Sequence, residues 1–235
     1  MNLKIVTGLT SNALTAGVLA AILICGTALA NDKVELPEVD SDGLHLVKDS
    51  KVAAAYAAPG ADLSQYSKVM MLDCFVDFVK DWQKDYNLDQ IGLDGRVNDK
   101  DAEKIKKRLA EEFNKVFTEV LTKKGFPVVD EPAADVLLLR PALINVDVTA
   151  PDVLRASMST TYIRSAGSMT LYMEMYDSST STLIARVAAP LRDDDRHGNR
   201  ANRVTNKAAA DNILRHWAEL LADPLGQVTQ KSAED

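Results

Sequence analysis

The chain has 235 residues, 46% of them hydrophobic and 26% charged, and a formal net charge of −7 at pH 7. This length is sufficient for one sizeable domain with its own hydrophobic core. Neutralising phosphates requires clustered lysine and arginine, and no such cluster interleaved with aromatic residues is present. The composition therefore argues against nucleic acid as a partner.

The N-terminus has the layout of a secretory signal peptide over residues 1–30. Lys4 supplies a positive charge, Ala13 to Cys25 form an apolar run, and Ala28-Leu29-Ala30 form a small-x-small cleavage site. The apolar run of about 13 residues is shorter than the roughly 20 that span a bilayer, so we expect no transmembrane span in the mature chain. Cleavage near Ala30 predicts a periplasmic or secreted protein of the cell envelope.

In an alternative interpretation, Cys25 is lipidated and the protein is a membrane-anchored lipoprotein. Ile24 is bulky, whereas lipoprotein signals carry a small residue before the cysteine. Cleavage near Ala30 leaves Cys74 as the single cysteine, which excludes an intramolecular disulfide. The apolar neighbours of Cys74 predict that it is buried as a small hydrophobic side chain.

Composition divides the rest of the chain into three parts. Residues 31–65 predict an extended N-terminal arm with a turn at 40–43 and a short strand at 44–47. A single domain is predicted over residues 66–225, followed by a polar tail over 226–235.

The domain begins with apolar residues 68–78, which predict one long or bent strand with Asp73 at the bend. A connection follows, with a short helix near Trp82. Residues 99–124 then predict a long amphipathic helix, because apolar residues recur at three- and four-residue spacing. Asn98 or Asp99 would cap this helix, and Gly125 would end it.

The remaining elements are mostly strands. Residues 126–129 predict a short strand, and residues 135–149 a long strand in which Pro141 predicts a bulge or an edge position. Residues 167–176 alternate between apolar and polar side chains, and residues 183–191 return as the second strand of a hairpin. A last amphipathic helix spans about residues 205–222. The order predicts an α+β fold, a mostly antiparallel sheet with two long helices packed on one face.

Several spaced segments resemble a known family. They are Tyr66 to Asp73, Trp82, Ala134 to Ala142, Gly167 to Thr180, and Trp217-Ala218. In this order they are similar to the proteobacterial domain of unknown function 3313, over roughly Gln65 to Leu225, although Cys74 stands where the family is expected to have proline. The resemblance implies an exported protein, often a lipoprotein, without an assigned activity, and it supplies no catalytic residues.

Five residues predict an interaction surface. Tyr172, Glu174 and Tyr176 share the polar face of the hairpin, and Arg186 is expected opposite them. Arg140 interrupts an apolar strand, so it must either be paired or reach the surface, and Asp73 and Asp147 are the candidate partners. If that pair is buried, replacing Arg140 with alanine should cost about 3 kcal/mol.

The acidic loop Asp193–His197 could hold Ca²⁺ through its three carboxylates. Those carboxylates do not alternate along the chain as they do in calcium-binding loops, so a solvated turn is the favoured interpretation. No histidine has zinc-type spacing, and no Gly-x-Ser-x-Gly or phosphate-binding glycine motif occurs. We therefore expect no catalytic residue, no metal site and no cofactor.

The leading hypothesis is a non-enzymatic exported cell-envelope protein that acts in protein binding or assembly, with an envelope protein as its partner. The alternative is a small-ligand-binding protein or hydrolase with a site near Arg140 or Asp193–His197. A third hypothesis is a homodimer, because residues 136–139 are apolar on both sides and two helices cover only one face of a sheet.

Overall fold

The computed structural model of the protein describes residues 35–90, 96–148, 167–192 and 210–222. The chain divides into a short N-terminal unit, Met1–Glu35, and a second unit, Leu36–Asp235, which contains the fold. The predicted signal peptide with Cys25, the loop Asp193–His197 and the tail 226–235 lie outside the described residues.

The described residues form a mixed sheet of seven strands and three helices. The strands are β1 His45–Leu46, β2 Ala54–Ala57, β3 Lys68–Met71, β4 Phe75–Phe78, β5 Val136–Val148, β6 Gly167–Asp177 and β7 Leu183–Arg192. The helices are α1 Trp82–Leu88, α2 Asp99–Lys123 and α3, residues 210–222. The spatial order is β1-β2-β7-β6-β5, with β3 and β4 both paired to β5. The first four pairings are antiparallel, which confirms a mostly antiparallel α+β fold.

The predicted bent strand is present as β3 and β4, which lie one after the other along the same edge of β5. Both pair with β5 in parallel, because α2 carries the chain back before β5 begins. The Leu72 amide donates to the Leu139 carbonyl, so in a regular parallel ladder the Leu72 carbonyl would accept from residue 141. That residue is Pro141, which has no N–H. The ladder therefore stops after Leu72 and resumes at Phe75.

The prediction of a bulge or an edge position at Pro141 is wrong for β5 itself. Pro141 pairs in register with Met173 on β6, and β5 is flanked on both sides. The irregularity of β5 falls instead between Ile144 and Asp147, where Asn145 has a left-handed φ of 51°. The missing N–H of Pro141 instead interrupts the pairing of β5 with β3 and β4, on the side opposite β6.

Helix α2 begins and ends as its sequence predicts, to within one residue. The Asn98 side chain accepts from the Asp101 amide while the Asp101 side chain accepts from the Asn98 amide, which forms a capping box. Gly125 follows the C-cap with a φ of 93°, a conformation that favours glycine.

One face of the sheet carries the hydrophobic core. Alternation on β6 turns Met169, Leu171, Met173 and Met175 toward this face, and all four are buried. Helices α2 and α3 pack on it through Phe113, Val116, Phe117, Val120, Leu121, Ile213, Leu214, Trp217 and Ala218. The two helices are also joined by a bidentate pair from Arg215 to Glu119, with both distances 3.1 Å. Cys74 is buried in the same core, as predicted.

The segment interpreted as an N-terminal arm contributes two strands to the sheet. Strand β2 pairs with β7, and β1 pairs with β2. The predicted turn at residues 40–43 precedes β1 and is held by the Asp40 side chain, which accepts from the Asp42 and Leu44 amides. The predicted short strand at 126–129 is reduced to one bridge between Val128 and Val69.

Candidate interaction surface

The second face of the sheet carries polar side chains and, within the described residues, no helix. We call it the polar face and define it by Arg140, Tyr172, Glu174, Tyr176 and Arg186. The register places Arg140 of β5 and Arg186 of β7 on either side of Glu174 of β6. The structure thus brings together all five residues that the sequence singled out.

The Glu174 carboxylate is the centre of this face. Its Oε1 accepts from the Tyr172 hydroxyl at 3.0 Å and from Arg186 Nη2 at 3.0 Å. Its Oε2 accepts from the Tyr176 hydroxyl at 2.7 Å and from Arg140 Nη1 at 3.3 Å. Glu174 is only 8% exposed. These four donors therefore replace the hydrogen bonds to water that the carboxylate loses on burial.

Arg186 extends this network to the N-terminal turn. Its Nη1 donates to Asp40 Oδ2 and its Nη2 to Asp42 Oδ2, both at 2.7 Å. The guanidinium also lies over the Tyr172 ring, 5.9 Å from the centroid, within range of a cation–π interaction. Arg186 is therefore surrounded by three carboxylates and an aromatic ring.

Electrostatics keep Glu174 ionised. Burial alone would raise the pKa of Glu174, but hydrogen bonds from Tyr176, Arg186 and Tyr172 outweigh burial and hold that pKa below its usual value. Burial and the neighbouring Glu174 carboxylate raise the pKa of both Tyr172 and Tyr176. At neutral pH the cluster therefore contains an ionised carboxylate and two neutral phenols, and none of these groups is poised to exchange a proton.

The partner of Arg140 differs from both sequence-based candidates. Arg140 pairs with Glu174, not with Asp73 or Asp147. Asp73 lies in the break between β3 and β4, and Asp147 lies beyond the irregularity at Asn145, so neither continues the alternation that Arg140 follows. The Arg140 side chain is 58% exposed, so the observed pair is buried only on its Glu174 side.

Four further residues at this surface carry no functional signal in the sequence. Asp40 and Asp42 were predicted as a turn, but their contact with Arg186 spans more than 140 residues and leaves no local signal. Leu72 and Phe75 were assigned to a strand, and the structure leaves them 39% and 58% exposed. The register places Leu72 beside Arg140 and Phe75 beside Ala142, on the polar face.

A concavity of about 500 Å³ lies beside α1 and is lined by Asp77 to Lys84 and Asn87. In the ranges that the structure describes, no three His, Cys, Asp or Glu side chains form a metal-binding group. A search of the same ranges finds no helix with the length and apolar character of a membrane span.

Comparison with solved structures finds distant likeness. A PelC dodecamer from Paraburkholderia phytofirmans is 12% identical, with 73% of this chain and 94% of that chain covered and a TM-score of 0.38. A DUF330 protein from Xanthomonas campestris is 10% identical, with coverage of 76% and 94% and a TM-score of 0.39. A minor lipoprotein from Acinetobacter baumannii is 8% identical, with coverage of 67% and 94% and a TM-score of 0.32. Likeness at this level carries no argument about function.

The sequence matches a family model but no individual curated protein. No curated protein matches the chain significantly. The family model described as protein of unknown function, DUF3313, matches residues 40–221. The chain therefore belongs to the DUF3313 family, as its resemblance predicted.

Proposed function

We propose that the protein is a non-enzymatic, exported cell-envelope protein that binds an envelope protein partner through its polar face. The observation that carries this proposal is the combination of a buried, fully hydrogen-bonded Glu174 with an exposed border that contains Arg140 and Phe75. Tyrosine, arginine and phenylalanine are enriched at protein interfaces, where a fixed geometry reduces the entropy lost on binding.

The chemistry of the cluster supports a binding role. A carboxylate that is ionised and accepts four hydrogen bonds has no free lone pair directed at a substrate. The alternative, a small-ligand-binding protein or hydrolase with a site near Arg140, needs a cavity beside that residue. The concavity described above lies beside α1 and does not include Arg140 or Glu174.

Export is supported by the N-terminal sequence, with cleavage near Ala30 as the first proposal and lipidation at Cys25 as the alternative. The intact mass of the protein purified from cells separates the two forms. We expect a chain that begins at Asn31. A chain that begins at an acylated Cys25 would support the lipoprotein form, and a chain that retains Met1 would contradict export.

Site-specific photocrosslinking in cells tests the binding role. A photoreactive phenylalanine analogue is placed at Phe75, which is 58% exposed on the polar face, or at Leu88, which is 72% exposed at the end of α1. We expect one discrete protein adduct from position 75 and none from position 88. Equal labelling from both positions, or no adduct from position 75, would contradict the proposal.

A further inference from the structure

Leu72, Phe75 and Arg140 form a mixed apolar and basic surface that we call the Arg140 patch. Leu72 is next to Arg140 in the register, and Phe75 follows one step along. Within the described ranges β4 pairs with β5 alone, so the patch lies at an edge of the sheet. Asp77, the acidic residue of β4, is engaged by Lys106 of α2 at 3.1 Å.

The two arginines that flank Glu174 are unequally neutralised. Arg186 contacts three carboxylates at 2.7, 2.7 and 3.0 Å, and its side chain is 17% exposed. Arg140 contacts a single carboxylate, Glu174, at 3.3 Å, and its side chain is 58% exposed. A guanidinium can bind a carboxylate with two parallel hydrogen bonds. The exposed part of Arg140 is therefore the place on this face where a further carboxylate would be accommodated.

The chain itself shows how a carboxylate docks on this face. Asp40, in a turn outside the central strands, pairs with Arg186 while its other oxygen is fixed by the Asp42 and Leu44 amides. Close to that turn, the Tyr56 hydroxyl donates to the Pro37 carbonyl at 3.1 Å. On the β7 side of Glu174, Arg186 thus already holds an acidic segment of the chain. Arg140 occupies the position equivalent to that of Arg186 on the β5 side.

We propose that the Arg140 patch binds an acidic segment of a partner protein, with an aspartate or glutamate of that segment on Arg140 and an apolar side chain against Phe75 and Leu72. This inference rests on the proposed function and names the chemistry of the partner. The carboxylate fixes the register of the segment, and burial of the exposed apolar side chains supplies affinity.

The test uses a random dodecapeptide phage library selected on the mature wild-type protein and, in parallel, on Arg140→Glu. We expect peptides selected on wild type to carry an acidic residue beside apolar ones, and peptides selected on Arg140→Glu to carry lysine or arginine at that position. The strongest wild-type peptide should bind at least tenfold more weakly to Arg140→Gln and to Phe75→Ser. Lys48→Glu, a change at a side chain that is 77% exposed beyond β1, should leave its affinity unchanged.

Three results would overturn the inference. One is an absence of enriched peptides, or enrichment of peptides that bind Arg140→Gln as well as wild type. Another is weak hydroxyl-radical labelling of the Phe75 side chain in the free protein at low concentration, which means that its own chain covers the patch. The third is protection of residues 72–78 that increases with protein concentration, which means that a second copy occupies it. Circular dichroism of Arg140→Gln and Phe75→Ser establishes that both variants are folded.

The proposed function and this inference fail separately. A protein adduct from position 75 that persists in Arg140→Gln would leave the binding role standing and remove the carboxylate pairing. Loss of the adduct in Arg140→Gln, with retention in Lys48→Glu, would support both. Absence of any adduct at position 75 would contradict the proposed function, whichever peptides are selected.

Discussion

Replacing Glu174 with glutamine removes the charge at the centre of the polar face and keeps the shape of the side chain. In the wild-type protein, four donors point at the two carboxylate oxygens of Glu174. Glutamine at this position offers one carbonyl oxygen and an NH₂ group instead. The variant therefore loses acceptors on one side of the cluster, and the remaining hydrogen bonds lose the contribution of the charge. We expect the protein to fold and to be clearly less stable.

The magnitude follows from burial. Hydrogen bonds to charged groups contribute about 1.5–3 kcal/mol, and breaking a buried ion pair costs about 3–5 kcal/mol. Arg186 keeps Asp40 and Asp42 in the variant, so we expect a loss at the lower end, about 3 kcal/mol. Arg140→Gln removes one contact of 3.3 Å at a side chain that is 58% exposed, and should cost only about 0.5 kcal/mol. This is less than the loss of about 3 kcal/mol that replacement of Arg140 would cause if its ion pair were buried.

Urea unfolding followed by circular dichroism measures both variants against wild type. For a chain of this size, about 3 kcal/mol corresponds to a decrease in Tm of roughly 6–12 °C. The order of the two effects is the decisive result. If Glu174→Gln costs less than about 1 kcal/mol, or if Arg140→Gln costs as much as Glu174→Gln, the description of Glu174 as the buried centre of the cluster is refuted.

Further predictions concern pH, a thiol and a helix cap. The pKa of Glu174 in the folded protein lies below the ordinary value for a glutamate side chain, so its stabilising effect is complete above that ordinary pKa and is lost as the pH falls through the folded-state pKa. The stability difference between wild type and Glu174→Gln should therefore be constant from about pH 6 to 8 and shrink in acid, and a constant difference down to about pH 3 would contradict this. Burial raises the pKa of Cys74 to about 12, so a thiol reagent at pH 8 should label it only as fast as the protein unfolds, whereas rapid labelling of the native protein would show that Cys74 is accessible. Asn98→Ala removes the capping box of α2 and should cost about 1 kcal/mol in urea unfolding, while Asn98→Asp should cost little; equal stability of both variants would show that the cap contributes nothing.

The elements that the sequence predicted well are those with a local periodic signal. The apolar stripe and the capping residues of α2 define its bounds, and the alternation from Gly167 to Tyr176 places four side chains in the core and three on the polar face. Turn chemistry at Asp177 to Thr182 joins β6 to β7. Every second residue of a strand lies on the same face, so the predicted hairpin also places Arg186 opposite Glu174, as observed.

The features that the sequence did not predict depend on contacts between distant residues. Small side chains at Ala54 and Ala55 give no alternation, so β2 is recognised only through its pairing with β7. The parallel pairing of β3 and β4 with β5 depends on the return path through α2. The partner of Arg140 depends on register: Glu174 lies directly opposite Arg140 on β6, whereas Asp73 falls in the break between β3 and β4.

Pairing of the N-terminal segment with β7 sets the order in which the molecule can be completed. The Asp40 to Arg186 contact closes a loop of 146 residues. During synthesis the N-terminal segment emerges first, but the strand that receives β2 is made near the end of the domain. Strands β1 and β2 can pair with each other early, but β2 cannot join the rest of the sheet until β7 is available, and contacts of such long range are formed slowly. The first part of the domain to emerge is thus among the last to reach its native position.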